Sequence, residues 1–528
     1  MASARGSAQR TLPASRGDGD SRHRLFRFLA LSAALSGLFA GPARAEKWDV
    51  VPTLSVSETY TDNISLVQDA LKQSDWVTQV IPGISIAATG ARLRFNVNYA
   101  PEFVYYAEGQ RKSQVFQRGN AGANVELAKR LLFIEAGARV DQYDVSLQGP
   151  FTTSNINTTG NRATAKTFFL SPYLLGDFGS EARGEARFTY SDWSSDSPTR
   201  LPDNEANRVD LRLASGPAYQ QFTWDIGYRR ETIQYETLQE TLTEAITEKV
   251  RWLIAPAVGL LGQVGYERYD SGIPGSVLEG SIWSAGLEWM PTPRTRLAAS
   301  AGKRFDDDAY NFEFRHRTRL TTWSAGYSED VTTSRSAFFV PATASTSGVL
   351  DALFLSQFPD PAARQRAVEE FIARTGLPSS LLAPLNFFSD QLFLRKRWQA
   401  STGLRGVRNT LAANVFRETR ELLFAGVIPS GAGGFAASNT IRLTGTSLAW
   451  SRPLTARNTW NLDTGYTRSE FLDSHRVDDL AYLRMGLTRQ FQRQLSGSLH
   501  YRRQQLESRP SAFRYTENSV IANLRMEF

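Results

Sequence analysis

Apolar and polar residues alternate with period two along most of this chain, and helical spacing is almost absent. In RLRFNVNY, residues 92–99, Arg92, Arg94, Asn96 and Asn98 fall on one side and Leu93, Phe95, Val97 and Tyr99 on the other. The same division recurs in NRVDLRL, where Arg208, Asp210 and Arg212 oppose Val209, Leu211 and Leu213. FTWDIGYR (222–229) and WSAGLEW (283–289) repeat it, with Asp225, Arg229 and Glu288 on the polar side and Trp224, Trp283 and Trp289 on the apolar side. Such alternation is a strand with two unlike faces. A soluble β-sandwich alternates too, but with fewer and shorter strands. Segments of about 10 to 14 alternating residues, continued to the end of the chain, predict a transmembrane antiparallel up-and-down β-barrel with lipid-facing apolar rows and lumen-facing polar rows.

The connections support this. Short turns are expected near Gly90, Lys129, Gly176, Pro217, Pro256, Pro291, His316, Gly406, Pro453 and Arg493. Longer polar linkers lie between them, among them 61–75, 145–162, 195–204, 269–279 and 421–439. Short periplasmic turns and longer outer loops are the rule for such barrels, and following the chain up and down gives about 22 strands.

Before the first strand, the apolar run FLALSAALSGLFAG follows Arg22, Arg24 and Arg27 and precedes Ala43-Arg44-Ala45. This reads as a signal peptide over residues 1–45, leaving 46–528 as the barrel and an outer-membrane, multi-pass location. The chain has no Cys, which removes disulfides, thiolate metal sites and a lipidated N-terminal Cys. Its formal charge is +7, but the basic residues are spread along strands of an exported chain, so no nucleic-acid partner is expected.

The stretches WDVVPTLSVSETYTDNISL (48–66), HRTRLTTWSAGYSEDVTT (316–333) and FPDPAARQRAVEEFIARTGLP (358–378) resemble the PEP-CTERM system-associated outer-membrane β-barrel family. The run Tyr60-Thr61-Asp62-Asn63 is the signature of that resemblance, which extends in order along the mature chain. It implies a role in exopolysaccharide production and carries over no catalytic motif. The expected partners are outer-membrane lipid and lipopolysaccharide, the barrel-assembly machinery and, through the resemblance, exopolysaccharide and periplasmic export components. Neither enzymatic activity nor a cofactor is expected.

Candidate chemistry is sparse. His475 stands beside Asp473, Ser474 and Asp478, which keeps open an outer-membrane hydrolase if nucleophile, base and orienter meet in space. Asp306, Asp307 and Asp308 form an acidic tip that could bridge a cation to lipopolysaccharide phosphate, although a calcium site needs a fuller ligand set. The positions expected to line the lumen include Arg92, Arg94, Arg183, Arg187, Arg208, Arg212, Arg229, Arg395 and Arg397. Two readings stand: a wall of mutually paired charges, or a cation-lined conduit that favours anions. A plugged, purely structural barrel is the third functional possibility.

One linker, 329–390, exceeds every other and carries a helix signal: Asp360 as cap, Pro361 in the first turn, Val368, Phe371 and Ile372 on one face, Gly376 and Pro378 at the end. So narrow an apolar stripe needs a surface. The segment is therefore expected to be an outer loop that folds over or into the lumen as a constriction, or else packs on neighbouring loops.

The last strand ends VIANLRMEF, placing Val520, Ala522, Leu524, Met526 and Phe528 on the lipid row, which resembles the C-terminal signal read by the assembly machinery. Phe528→Ala is expected to lower the heat-modifiable outer-membrane population while leaving inner-membrane export intact. Wild-type levels of folded protein in that variant would remove the assembly role.

Overall fold

A computed structural model describes residues 47–108, 111–145, 149–150, 152, 154–196, 203–236, 240–333, 335, 346–355, 358, 364, 367–368, 371–372, 391–424, 438–509 and 514–528. The expected leader lies outside them. Twenty-four strand segments, β1 to β24 in chain order, form one antiparallel sheet. Two staves are interrupted: β3 (Leu93–Tyr99) and β4 (Glu102–Tyr106) both pair with β2 (Asp75–Thr89), while β6 (Gly119–Ala128) pairs with β3 and β5 (Gln114–Phe116) with β4. The barrel thus has 22 staves. Pro101 sits at the first break, where a residue without an N–H cannot continue the ladder. Across it, the Ala100 N–H still reaches the Arg118 carbonyl at 2.9 Å.

The sheet closes because β1 (Lys47–Thr61) pairs with β24 (Tyr515–Glu527), from Thr53 opposite Glu527 to Thr61 opposite Ser519. Phe528 continues the contact by donating its N–H to the Pro52 carbonyl at 3.0 Å, its ring exposed on the lipid side. At the outer end the Thr61-Asp62-Asn63 run fastens this seam. The Asp62 carboxylate accepts the Asn518 N–H at 2.7 Å and Asn518 Nδ2 at 2.8 Å. Thr61 Oγ1 donates to Glu517 at 2.8 Å. Asn63 Nδ2 donates to the Val67 and Thr516 carbonyls, and its Oδ1 accepts the Val67 N–H.

Outside, the alternation holds as read. Trp48, Trp252, Trp289 and Trp323 are exposed near the short turns, and Tyr60, Trp76, Tyr105 and Tyr310 near the opposite rim, the two aromatic girdles of a membrane-spanning barrel. Not every outer connection is long. Phe305 and Asp306 make a tight turn with φ of 51° and 77°, and Leu472 to His475 make another, His475 having φ of 54°.

Removing the Asp62 carboxylate deletes two hydrogen bonds of a charged acceptor at the seam, so Asp62→Ala is expected to destabilise the barrel by about 2–4 kcal/mol. Asp69→Ala, at an exposed side chain of the same connection, serves as control. Urea midpoints read from the heat-modifiable band decide it, and equal midpoints would deny the seam this role.

Candidate functional site in the lumen

Register assigns the lumen face. Arg94, Arg183, Arg187, Arg208, Arg212, Arg229, Arg395 and Arg397 lie on inward rows, while Arg92 falls in the turn before β3, where its carbonyl accepts the Glu126 N–H at 2.8 Å. Six of the inward arginines are ion-paired. Arg187 bonds Glu135 at 2.8 Å and Glu185 at 2.7 Å; Arg208 and Arg229 share Asp210, each at 2.7 Å; Arg212 Nε meets Asp225 at 2.7 Å. Arg395 grips Asp330 through two nitrogens, at 2.8 and 3.3 Å, and Arg397 bonds the buried Glu418 at 3.0 Å. Glu418 also accepts from Arg420 at 2.6 Å. Burying a carboxylate is costly unless paired and hydrogen-bonded, and these cross-strand pairs meet that condition. Among the described residues Arg94 and Arg183 are exposed and make no salt bridge. The wall is mainly a network of paired charges with a few open cations.

At the outer rim the wall is pinched. Arg335 lies two residues beyond β17 (Thr321–Thr333), yet its guanidinium bonds Asn204 at 2.5 Å and the Ser191 hydroxyl at 2.9 Å. These belong to β10 (Asn204–Ser215) and β9 (Ala182–Ser195). Two residues and an arginine side chain reach at most about 15 Å, so the two walls lie no farther apart than that here.

The segment between β17 and β18 (Leu392–Arg405) places a helix, α1 (Thr346–Phe354), inside the barrel. Its Val349, Leu350, Leu353 and Phe354 are buried with Val368, Ala412 and Ala449, and Phe358, Ala367, Phe371 and Ile372 pack against them. The seat is a row of three small lumen-facing residues on neighbouring strands: Gly403 of β18, Ala412 of β19 (Thr410–Leu422) and Ala449 of β20 (Thr440–Pro453). A Cβ at Gly403 would stand 2.7 Å from Leu353 Cδ1 and 2.9 Å from Val349 Cγ1, so a larger residue there needs these side-chain ends to give way. Phe354 lies 4.5 Å from the Arg405 guanidinium, beside the short turn at Gly406. The helix therefore rests deep, at the short-turn end of the lumen. Arg364 ties back to Asp351 at 2.7 Å.

Sequence reasoning expected a helix capped by Asp360. Asp360, Pro361, Gly376 and Pro378 lie outside the described residues, whereas Arg364, Ala367, Val368, Phe371 and Ile372 are helical. It missed α1, whose only signal is the apolar set at 349, 350, 353 and 354. It also missed inward aromatics, among them Phe133, Phe169 and Tyr173; the doublet Phe168-Phe169 betrays Phe169, because an alternating strand has no reason for apolar bulk on both faces.

The remaining candidates do not assemble a site. Asp473 accepts the Asn439 N–H at 2.6 Å, and Asp478 is held by Arg476 and Ser508, so both carboxylates beside His475 are committed elsewhere. His316 lies at the end of a strand and shares a 2.9 Å hydrogen bond with Thr295. Asp306 is in the tight turn, its carbonyl accepting from Lys303, and Asp307 and Asp308 belong to the next strand.

A closed antiparallel barrel of 22 staves pairs its own strand edges, which lets it sit where no water can solvate them, and its exposed apolar and aromatic exterior calls for lipid around it. The protein is a multi-pass β-barrel of the bacterial outer membrane. No family model matches the chain. No curated protein matches its sequence. Among solved structures it is similar to the FrpB iron transporter (F3-3 variant) from Neisseria meningitidis, at 11% identity and a TM-score of 0.47, over 91% of this chain and 82% of that one. It is also similar to the siderophore receptor PirA from Acinetobacter baumannii, at 6% identity and a TM-score of 0.47, over 92% and 81%. OccK5 (OpdH) from Pseudomonas aeruginosa gives 10% identity and a TM-score of 0.32, over 91% and 98%. At such identities and scores these likenesses carry no argument about ligand.

Replacing residues 342–380 by a short Gly/Ser linker removes α1 and is expected to raise single-channel conductance several-fold in planar bilayers. Unchanged conductance with normal heat-modifiability would mean that the helix does not limit the passage.

Proposed function

We propose that the protein is an outer-membrane conduit for a hydroxyl-rich envelope polymer, exopolysaccharide in class, kept closed at rest by its own lumenal helix. The observation that carries this reading is the compact seat of α1 on three small residues of β18, β19 and β20, at the short-turn end of a wall that elsewhere carries paired charges and, away from α1, separate apolar clusters. A filler needed only for stability would pack broadly against the staves. Here the helix touches β17, β18, β19 and Ala449, while the paired charges continue around the rest of the ring. Such a plug can leave without unmaking the wall.

The balanced wall favours a conduit for neutral or weakly charged cargo, since each paired carboxylate cancels an arginine that would otherwise attract anions. The resemblance to PEP-CTERM system-associated barrels supports exopolysaccharide as the class. The plugged scaffolding barrel remains the second reading, favoured by the apolar core that the insertion builds around Phe354.

Deleting the gene in its native host and assaying polymer by compartment separates the two. Accumulation in the periplasm with loss from the surface is expected of a conduit. Unchanged surface polymer together with a weakened envelope would favour the scaffold.

A further inference from the structure

We infer that Phe169, Phe133 and Tyr173 form a saccharide-binding strip on the inner wall of β7 (Leu132–Asp144) and β8 (Arg162–Phe178), an inference that rests on the conduit reading and names its cargo contact. All three side chains are on lumen rows and half-buried. Phe169 opposes Gly137, and Phe133 opposes Tyr173, with the pair Glu135 and Ser171 between them. The strip therefore repeats aromatic, polar, aromatic along β8, with the two ring positions about 13 Å apart.

The rings are held in place. A Cβ at Gly137 would collide with the Phe169 ring, so this phenyl group rests against backbone that carries no side chain. Phe133 and Tyr173 stack with centroids 5.1 Å apart and planes 11° from parallel. Arg187 places its guanidinium carbon 3.9 Å from the Tyr173 centroid, and Asn124 Nδ2 donates to the Tyr173 hydroxyl at 3.0 Å. Arg187 is itself fixed by Glu135, Glu185 and the Ser171 hydroxyl, the last at 3.2 Å. Little freedom is left for a ligand to freeze out on binding.

The chemistry of this wall suits a sugar. The C–H face of a pyranose carries partial positive charge that matches the negative face of an aromatic ring, and its equatorial hydroxyls need donors and acceptors at the ring edge. Arg187, Glu135, Ser171 and Asn124 provide both. A strongly anionic polymer would meet Arg187 already neutralised by two carboxylates, so the strip is suited to neutral saccharide. α1 rests on β18 to β20, eleven staves away around the ring of 22, and leaves this wall uncovered by the described helix.

The test is isothermal titration of full-length protein in detergent with maltohexaose as the neutral probe and oligogalacturonate as the anionic one. Wild-type protein is expected to bind maltohexaose. Phe169→Ala and Phe133→Ala should each lower affinity at least tenfold, Phe169→Trp should retain it, and Gly137→Ala, which lifts the ring off the wall, should lower it as Phe169→Ala does. Heat-modifiability checks the fold of each variant. Absence of wild-type binding, equal affinity in the alanine variants, or preference for oligogalacturonate would overturn the strip. The conduit reading fails separately: it falls if gene deletion leaves surface polymer unchanged, even where maltohexaose binding depends on the rings.

Discussion

Backbone hydrogen bonding without water is the constraint on which the whole structure depends. In a lipid bilayer an unpaired strand edge exposes polar groups that nothing solvates, so a sheet is tolerated only when its first and last strands pair. Here that burden falls on β1 and β24, and the chain reinforces the junction where it is most exposed to fraying. Thr61, Asp62 and Asn63 each bond to the last strand or to the loop beside it. Glu517, fully buried, collects Thr61, Asn157 and Arg502 at one oxygen, at 2.8, 3.0 and 2.8 Å. Residues more than 450 positions apart in sequence thus become neighbours at the closing seam.

Closure also decides what the lumen can be. A wall of 22 staves encloses more space than side chains alone fill, and the chain handles the surplus in two ways. Arg335 draws one wall toward another near the outer rim, and α1 occupies the short-turn end against Gly403, Ala412 and Ala449. Both devices use few residues. Most inward arginines serve a different purpose: paired to carboxylates on the same or nearby strands, they keep a wetted wall ordered without giving it a strong net field.

Much of the fold was legible because its governing periods are local. The faces of residues 208–213 and 222–229 follow from alternation alone, and short turns at Gly90, Gly406 and Arg493 follow from composition. The interrupted stave at Pro101 was not legible, because Pro52, Pro82 and Pro172 stand inside unbroken strands. What stayed hidden depends on distant partners. Nothing beside Gly403 says that Leu353 will rest on it, and nothing in Tyr60-Thr61-Asp62-Asn63 says that its partner is Asn518. The helix signal running from Asp360 to Pro378 was readable, but α1, only nine residues long and apolar at five of them, reads as loop until a wall is supplied for it. Arg92 was assigned to the wall by extending a period one residue past the strand that carries it.

α1 sits inside the barrel, and as a conduit's plug it has to close it. Because the chain has no cysteine, the double variant Leu353→Cys with Gly403→Cys reports on this contact without background. On the present account the two thiols form a disulfide on mild oxidation, visible as a mobility shift, and hold the channel in its low-conductance state until a reductant is added. Failure of the pair to cross-link in a heat-modifiable barrel, or a cross-linked channel that conducts as freely as the reduced one, would contradict it.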